Sequence, residues 1–470
     1  MNNTIKKAVF FFISLIIIWL FPILFAELLP LSAEGIQILA IFIAAILLWL
    51  TVGIDWTSIF ILLVIPTVIP SIGIAGVMSA SLGNNTIAFL IFSCILTYAL
   101  SSSGFLRRAA LWFVNSKIGQ KSHWHFAFMY FLSILIIGSF IAPTVLFVLY
   151  FALAKEIYEV CSLKEDSSFA KMLMIGTAIF TSISCAMTPI AHTFPLMAIG
   201  FYETATGEII SWGKYMLIGI PVGILLSAFV FGILYLGFKK KIAAEGFNAF
   251  KLAPMGKVSL IEKESIIVFG LVVVLWLIMG IAPNLIPGLK EATTTAPPMF
   301  GIVILCALGA LNFKEAITKG VPWQSIILCA ATLVIGKYLT SADFGITDYF
   351  ASLVAPLTTN ASAFSLILIV VAFAIIMTNL MSNIVTTTVA YNILTPIIIT
   401  TGLINPQLST ILIGMAASLA FATPPAIAHI ALAAGSGYAD SKDMLKYGGL
   451  TSIAAIVIVT LLGFAFKGVF

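Results

Sequence analysis

Residues 188–192 read TPIAH and residues 423–429 read TPPAIAH, and each string lies inside a long apolar run. A proline within such a run removes a backbone hydrogen bond and breaks the helix. Unpaired backbone at membrane depth persists only where it is buried in protein or lines a water-filled cavity. One Thr-Pro pair usually marks only a kink. Two such strings, each closed by Ala-His, predict unwound loops at equivalent places in two related halves.

The composition places most of the chain in lipid. Of its 470 residues, 61% are hydrophobic and 9% are charged, and the mean hydropathy is +1.17. Soluble domains carry about 25% charged residues, so this chain has too little polar surface for a water-soluble globule of its length. The five cysteines are scattered, and no CxxC or Cys/His spacing suggests zinc. We therefore predict an integral membrane protein.

Apolar runs of about 20 residues, the length that crosses a bilayer, predict eleven transmembrane helices. The first run resembles a signal peptide, but it is long and no clear cleavage site follows, so we expect a retained helix. Two further apolar segments, 124–156 and 363–400, are interrupted near their middles by polar residues or proline. The predicted spans lie near residues 8–28, 35–51, 57–75, 84–104, 168–203, 214–238, 263–282, 297–312, 324–342, 406–437 and 446–467.

The distribution of lysine and arginine predicts the orientation. Cytoplasmic loops carry an excess of these residues. If segments 124–156 and 363–400 each enter and leave on one side, nearly all of the 23 basic residues face the cytoplasm. Full crossings would instead put the basic run 239–241 outside. We therefore predict two re-entrant hairpins, one opening inward (124–156) and one outward (363–400), with a cytoplasmic N-terminus and an external C-terminus.

The two halves also align with each other. The first hairpin tip, GSFIAPT at 138–144, pairs with TNLMSNI at 378–384. We expect a first repeat over 1–238 and a second over 263–470, joined by a cytoplasmic linker at 242–262. Inverted repeats with interrupted helices are typical of secondary transporters, whose site lies where the halves meet. The predicted fold is an all-α membrane protein with about eleven transmembrane helices and two re-entrant hairpins in an inverted repeat.

The intramembrane chemistry favours an anion and sodium. The acidic residues fall in loops or at span ends, so a proton-relay carboxylate and a counter-ion for a cationic substrate are both missing. Hydroxyls, amides and helix N-termini bind anions without fixed positive charge, and unwound backbone suits Na⁺. The neutral polar residues at these places are Thr144, Thr188, Thr378, Asn379, Ser382, Asn383, Thr386, Thr387 and Thr388.

Three stretches resemble the divalent anion/sodium symporter family. Residues 381–396, MSNIVTTTVAYNILTP, resemble its second Ser-Asn-Thr signature. Residues 422–425, ATPP, followed by GSGYADSKDMLKYG at 435–448, resemble its C-terminal signature, and GFLRRAAL at 104–111 resembles the segment before its first hairpin. The resemblance covers nearly the whole chain. It implies a homodimeric, sodium-coupled carrier of dicarboxylates, citrate or sulfate, in which a transport domain moves past a scaffold domain as an elevator.

The resemblance also implies site residues, because each hairpin tip of the family offers Ser-Asn-Thr to the substrate and a facing Thr-Pro-Pro-Asn loop completes a sodium site. The second half keeps Ser and Asn, but Ile384 replaces the Thr and Ala426 replaces the Asn of the loop. The implied second-half sodium ligands are Thr378, Ser382, Asn383 and Ala422. In the first half, a weakened or lost site would involve Ser139, Ala142 and Thr144. The predicted substrate ligands are Thr144, Pro143, Ser382, Asn383, Thr386, Thr188, Pro189, Thr423, Pro424, His192 and His429.

The predicted function is sodium-coupled symport of small anions such as succinate, malate or citrate across the cell membrane. Two alternatives stay open on the same fold, a sodium-independent anion exchanger and a carrier of sulfate or another inorganic anion. His192 and His429 either satisfy buried backbone groups or contact the anion and titrate. No HExxH, GxSxG or paired midspan carboxylates indicate an enzyme. We expect no organic cofactor and no nucleic-acid partner.

Overall fold

The computed structural model describes residues 3–164, 167–245, 251–253, 255–281, 295–339, 341–346, 348–349, 352, 361–424 and 426–470. Throughout these ranges the regular structure is helical, and the described residues contain no β-strand. The helices are α1 (Asn3–Phe25), α2 (Ala33–Thr51), α3 (Asp55–Val68), α4 (Gly73–Ala80), α5 (Asn85–Ser102), α6 (Phe105–Val114), α7 (His123–Gly138), α8 (Pro143–Val160), α9 (Ser168–Ala186), α10 (Thr193–Thr206), α11 (Trp212–Ala243), α12 (Leu260–Ile281), α13 (Ala296–Ala307), α14 (Phe313–Gly320), α15 (Trp323–Leu339), α16 (Ala363–Leu380), α17 (Asn383–Thr401), α18 (Pro406–Ser418), α19 (Ala428–Ala434) and α20 (Ser441–Ala465).

The all-helical membrane class is confirmed. Within the described residues, eight helices are long and apolar enough to cross a bilayer. A ninth span results if α14 and α15, which meet at a 67° bend, are counted together. The predicted number of eleven is not confirmed. The eight include α16 and α17, the two helices of the second predicted hairpin, whereas the predicted spans 57–75, 297–312 and 406–437 contain only helices of 14 residues or fewer.

Some predictions fall on residues outside the described ranges. They include Pro425, residues 246–250 and 254 of the predicted linker 242–262, and residue 282 at the end of a predicted span. The described part of the linker is attached to α6. Arg108 donates two hydrogen bonds to the buried carboxylate of Glu262, at 2.5 and 3.0 Å, and a third to the carbonyl of Gly256 at 2.9 Å. The Asn115 side chain pairs with both backbone groups of Leu252.

Two helix pairs coincide with the predicted hairpins. The segment 124–156 corresponds to α7 and α8, and the segment 363–400 corresponds to α16 and α17. Pro143 stands in the first turn of α8, where its missing N–H has no intrahelical partner to lose. In the first half α7 and α8 pack against α9, and in the second half α16 and α17 pack against α18 in the same way.

The helix that follows each break packs against a helix of the other half. The helix that follows the first break, α10, packs against α18 of the second half. The helix that follows the second break, α19, packs against α9 of the first half. Helix α9 is the most enclosed of the eight candidate spans in the described residues, with 94% of its apolar window buried, whereas α1 has 11% buried. The two breaks therefore lie near the centre of the molecule, with α1 at its periphery.

Candidate functional site

Each unwound loop is tied to the adjacent hairpin tip by one threonine. The Thr188 hydroxyl donates to the carbonyl of Ser139, and the Thr423 hydroxyl donates to the carbonyl of Asn379. These acceptors occupy aligned positions of the strings GSFIAPT and TNLMSNI. The predicted ligands Thr188 and Thr423 thus give their hydroxyl hydrogens to the protein, and only their oxygen lone pairs remain for an ion.

Asn379 fixes the second loop to its hairpin. Its Oδ1 accepts hydrogen bonds from the backbone N–H groups of Phe421 (2.8 Å) and Ala422 (2.9 Å). Its Nδ2 donates to the carbonyls of Ile375 (2.8 Å) and Leu419 (3.3 Å). One side chain therefore satisfies backbone groups that the break at 419–427 leaves without helical partners. Sequence reasoning named Asn379 only among the neutral polar residues and did not include it in the site.

The first turn of α17 contains buried polar atoms without partners. Asn383 is 2% exposed, and neither its Oδ1 nor its Nδ2 has a hydrogen-bond partner. The buried Thr386 hydroxyl is also unpaired, whereas Thr387 and Thr388 donate to the carbonyls four residues earlier. Such groups are costly to bury unless they serve a ligand or water. They favour the predicted role of Asn383 and Thr386 as ligands.

Oxygen donors in this region suit an alkali cation. The side chains available are the amide of Asn383 and the hydroxyls of Ser382, Thr386 and Thr378, of which Thr378 donates to the carbonyl of Ala417 at 2.7 Å. Hard cations prefer such oxygen ligands. Among the described residues, no group of three His, Cys, Asp or Glu side chains is placed to hold a metal ion. The donor set fits sodium better than a transition metal.

The first half offers fewer free oxygens at the equivalent place. The Ser139 hydroxyl donates to the carbonyl of Leu135 at 2.7 Å. A Cβ atom built on Gly138, the counterpart of Thr378, would lie 2.1 Å from the Ser184 hydroxyl oxygen. The Ser184 side chain therefore fills the space into which a threonine at position 138 would project. Ala142 brings no side-chain oxygen to the tip.

His429 connects the two halves. Its Nε2 lies 2.7 Å from the hydroxyl of Ser182 on α9, and that hydroxyl also lies 2.7 Å from the carbonyl of Ala420. A hydroxyl has one hydrogen, and the carbonyl can only accept, so His429 donates through Nε2–H. Its buried Nδ1 is then an acceptor, and it has no partner. Sequence reasoning did not find Ser182, which is 247 residues away in the chain.

His192 is held differently. Its Nδ1 lies 3.5 Å from the thiol of Cys185, and its ring packs against Phe194 at a centroid distance of 4.1 Å. The residue is 6% exposed and lines the main cavity. Cys185 lies three residues before Thr188, in the same half as His192, whereas Ser182, the partner of His429, belongs to the other half. Of the two histidines, only His192 lines the cavity.

The main cavity has a volume of about 430 Å³. The first turns of α8 and α10 form one side, and one stripe of α5 forms another. The second half adds Ile384 of its hairpin tip, Ile427 of its loop and the bend between α14 and α15. The lining residues are Leu90, Ser93, Cys94, Thr97, Tyr98, Ser101, Ala142, Pro143, Thr144, Val145, Ile190, Ala191, His192, Thr193, Phe194, Leu196, Lys319, Gly320, Pro322, Ser325, Ile384 and Ile427.

Some of the residues predicted to bind the substrate line the cavity, and others do not. Pro143, Thr144 and His192 line it together with Ala142. The other predicted substrate ligands are absent from its lining, namely Ser382, Asn383, Thr386, Thr188, Pro189, Thr423, Pro424 and His429. Sequence reasoning missed Ser93, Thr193 and Lys319. For Ser93 a signal existed, because the α5 lining residues recur at the three- and four-residue spacing of one helix face.

The comparison with known families decides the classification. The family model described as the sodium:sulfate symporter transmembrane region matches residues 2–469. The chain belongs to the sodium:sulfate symporter family. It is a multi-pass membrane transporter and not an enzyme.

Two curated relatives of this chain, from different staphylococci, carry the name sodium-dependent dicarboxylate transporter SdcS. The protein from Staphylococcus saprophyticus is 26% identical over 453 residues, covering 92% of this chain and 86% of the relative. The protein from Staphylococcus aureus strain MW2 is 23% identical over 465 residues, covering 95% and 88%. The resemblance of the signature strings to a sodium/anion symporter family is thereby confirmed.

Solved structures of two transporters share the fold. The Alcanivorax borkumensis YdaH transporter gives a TM-score of 0.59 at 13% identity, covering 83% of this chain and 87% of that one. Neisseria gonorrhoeae MtrF, described as illuminating a class of antimetabolite efflux pumps, gives a TM-score of 0.54 at 13% identity, covering 84% and 85%. At this level of identity the similarity concerns the fold alone.

Proposed function

We propose that this chain is a sodium-coupled symporter of small carboxylate anions. The observation that carries the proposal is the convergence of two helix N-termini, those of α8 and α10, on one cavity beside a hairpin tip. Helix N-termini attract anions through unpaired N–H groups and the helix dipole. The name of the family and the names of the SdcS relatives support sodium as the coupling ion. Succinate, malate and citrate are the first substrates to test.

The sodium ion is assigned to the second half, with Thr378, Ser382, Asn383 and the Ala422 carbonyl as ligands. The unpaired Oδ1 of Asn383 supports this assignment. The first-half site at Ser139, Ala142 and Thr144 is proposed to be weak or lost. Its serine hydroxyl donates to the carbonyl of Leu135, and Ser184 fills the space beside Gly138.

The proposed mechanism is an elevator. The two hairpins, α9, α10, α18 and α19 form the moving transport domain, since these helices pack against one another. The hairpins are proposed to be re-entrant, within repeats 1–238 and 263–470, in a homodimer with a cytoplasmic N-terminus and an external C-terminus. The predominance of basic residues on the assigned cytoplasmic side supports this orientation.

The test is uptake of labelled succinate, malate and citrate into proteoliposomes under an inward sodium gradient, with potassium as the control. We expect accumulation of at least one of these anions with sodium only. Ser382→Ala and Asn383→Ala are expected to abolish uptake, whereas Ser139→Ala retains it. Equal losses in all three variants would contradict the assignment of sodium to the second half.

The altered first-half tip favours a second candidate function, a sodium-independent exchanger. In that case uptake requires the anion inside the vesicle and is the same in sodium and potassium. Labelled sulfate in the same assay tests the inorganic-anion alternative. Both experiments use the same preparation of the whole chain. They distinguish sodium-coupled carboxylate symport, sodium-independent exchange and transport of sulfate.

A further inference from the structure

A second, much smaller cleft lies where the start of α5 meets the end of α10. Asn85 and Thr86 of α5 line it together with Glu203 of α10 and Trp212 of α11. None of these four residues lines the main cavity. The volume of about 20 Å³ is enough for one water-sized sphere. An ion or a single water therefore fits this cleft, and an organic substrate does not.

The two helices bring oxygen-bearing side chains together in the cleft. A Cβ atom built on Gly200 would overlap the hydroxyl of Thr86, so α5 and α10 are in close contact at this point. Glu203 follows Gly200 by three residues and therefore projects from the same face of α10, one turn further along. The side chain of Asn84 donates to the hydroxyl of Thr204 at 3.1 Å and fixes the two helices relative to each other.

Two of these side chains lack partners. Thr86 is 6% exposed, and Glu203 is partly buried. Among the described residues, the Thr86 hydroxyl makes no hydrogen bond, and the Glu203 carboxylate makes neither a hydrogen bond nor an ion pair. Lys214, near Trp212 in the chain, donates instead to Gln407 at 2.8 Å. Buried or partly buried polar groups of this kind are costly unless a ligand satisfies them.

The chemistry of the cleft suits a small monovalent cation. The side-chain Oδ1 of Asn85 accepts a hydrogen bond from the Thr295 hydroxyl at 2.7 Å and has a second lone pair to offer. A carboxylate, a hydroxyl and an amide oxygen are the ligands that hard cations prefer. The single negative charge of Glu203 balances one positive charge. Phe89 and Trp212 supply apolar walls, which strengthen the attraction by excluding water.

We propose that an alkali-metal cation binds in this cleft, held by the carboxylate of Glu203, the hydroxyl of Thr86 and the side-chain oxygen of Asn85. Because these ligands come from α5 and α10, the bound cation stabilises the contact between the two helices. The site is separate from the sodium ligands assigned to the second half. The inference goes beyond the proposed symport and does not depend on it.

The test follows thermal unfolding of the whole chain in lipid nanodiscs while sodium or potassium replaces choline at constant ionic strength. A cation that binds only the folded protein raises the unfolding temperature in a concentration-dependent way. The parent for this test is Asn383→Ala, which removes the sodium site assigned to the second half. We expect at least one of the two ions to raise its unfolding temperature. Adding Glu203→Gln should increase the half-saturating concentration at least about tenfold, because the ion loses its charged ligand.

Two further substitutions in the same parent separate the site from general effects. Glu208→Gln is the matched control, since Glu208 is an exposed carboxylate that already accepts from Tyr202 at 2.6 Å and from Gln407 at 3.2 Å. It should leave the half-saturating concentration unchanged. Thr86→Val keeps the side-chain volume, removes the hydroxyl and should raise that concentration about fivefold. Thr86→Ser keeps the hydroxyl and should stay near the parent value.

Two results would overturn the proposal. One is the same half-saturating concentration with and without Glu203→Gln. The other is an unfolding temperature that changes with pH but not with either alkali cation, because a proton would then neutralise Glu203. Neither result bears on the uptake experiment with labelled anions, which tests sodium-coupled transport separately.

Discussion

At the residue scale, two asparagines near the second hairpin tip have different roles. Asn379 stabilises the fold, and Asn383 is available to a ligand. Asn379 makes four hydrogen bonds to backbone groups, and Asn383 makes none with its buried amide. The first contributes to the folded state and the second is available to a ligand. The sequence alone does not separate them, because both are asparagines within a few positions of the same break.

We therefore expect opposite results from two alanine variants. Asn379→Ala leaves buried N–H groups of Phe421 and Ala422 unpaired, at about 1–3 kcal/mol for each group. It should lower the thermal unfolding temperature of the purified protein in detergent. Asn383→Ala should leave that temperature unchanged or raise it slightly and abolish sodium-dependent uptake. A stability loss of the same size in both variants would contradict the division of roles.

The threonine of each loop gives a second prediction. Thr423→Val removes the hydrogen bond to the Asn379 carbonyl, and Thr423→Ser keeps it. Because one net hydrogen bond contributes about 1 kcal/mol, we expect Thr423→Val to raise the sodium concentration for half-maximal uptake about fivefold. Thr423→Ser should stay near the parent value. Identical sodium dependence in the two variants would show that the tie between loop and tip does not support the ion site.

At the element scale, Gly138 sets how closely the first hairpin approaches α9. An added Cβ would lie 2.1 Å from the Ser184 hydroxyl oxygen and 2.4 Å from a methyl carbon of Leu146. We expect Gly138→Ala to lower the unfolding temperature clearly, because both neighbours are packed in the core. Gly232→Ala on α11, where an added Cβ meets nothing within 4 Å, is the control. In that control the better helix propensity of alanine should leave the temperature unchanged or slightly higher.

The sequence predicted the boundaries of two helix pairs well and some spans poorly, for a physical reason. The ends of the segments 124–156 and 363–400 lie within four residues of the ends of the observed helix pairs, since polar residues and Pro143 interrupt otherwise apolar runs. The break between α3 and α4 was missed, although Pro66, Pro70 and Gly73 surround it. Hydropathy averages over a window, so a short break inside an apolar run does not lower it enough to be seen.

At the scale of the whole molecule, the proposed orientation predicts which side of the membrane has access to the cavity. Ser101 and Lys319 of its lining lie close in sequence to basic residues that this orientation assigns to the cytoplasm. Cys94 lines the cavity and is half-buried, and it is a natural reporter. We expect a membrane-impermeant maleimide to modify Cys94 in inside-out vesicles faster than in right-side-out vesicles. The Cys94→Ser variant measures the background labelling of the other cysteines. Faster labelling of Cys94 in right-side-out vesicles would contradict access to the cavity from the cytoplasm.

The cavity proposed to bind the substrate was the least predictable part of the molecule from sequence. Its walls come from α5, α8, α10, the bend before α15 and the second hairpin, which are far apart in the chain. Of the residues that the signature strings named, Pro143, Thr144 and His192 line this one cavity. The strings did not reveal that Ile384 lines the same cavity as Thr144, whereas its neighbour Asn383 does not. That distinction depends on packing between halves, which local patterns do not encode.

The packing of α10 and α19 against helices of the opposite halves has a consequence for how the protein is synthesised. The helix after the first break, α10, packs against α18, whose first residue is synthesised about 200 residues after α10 ends. At the usual pace of a ribosome, α10 waits roughly 10 to 40 s for this partner. During that interval the unwound loop at Thr188–His192 and the open face of α9 have no protein cover from the second half. We expect insertion factors or other membrane chaperones to shield them, and we expect a nascent chain that stalls before Pro406 to be more sensitive to proteases than the finished transporter.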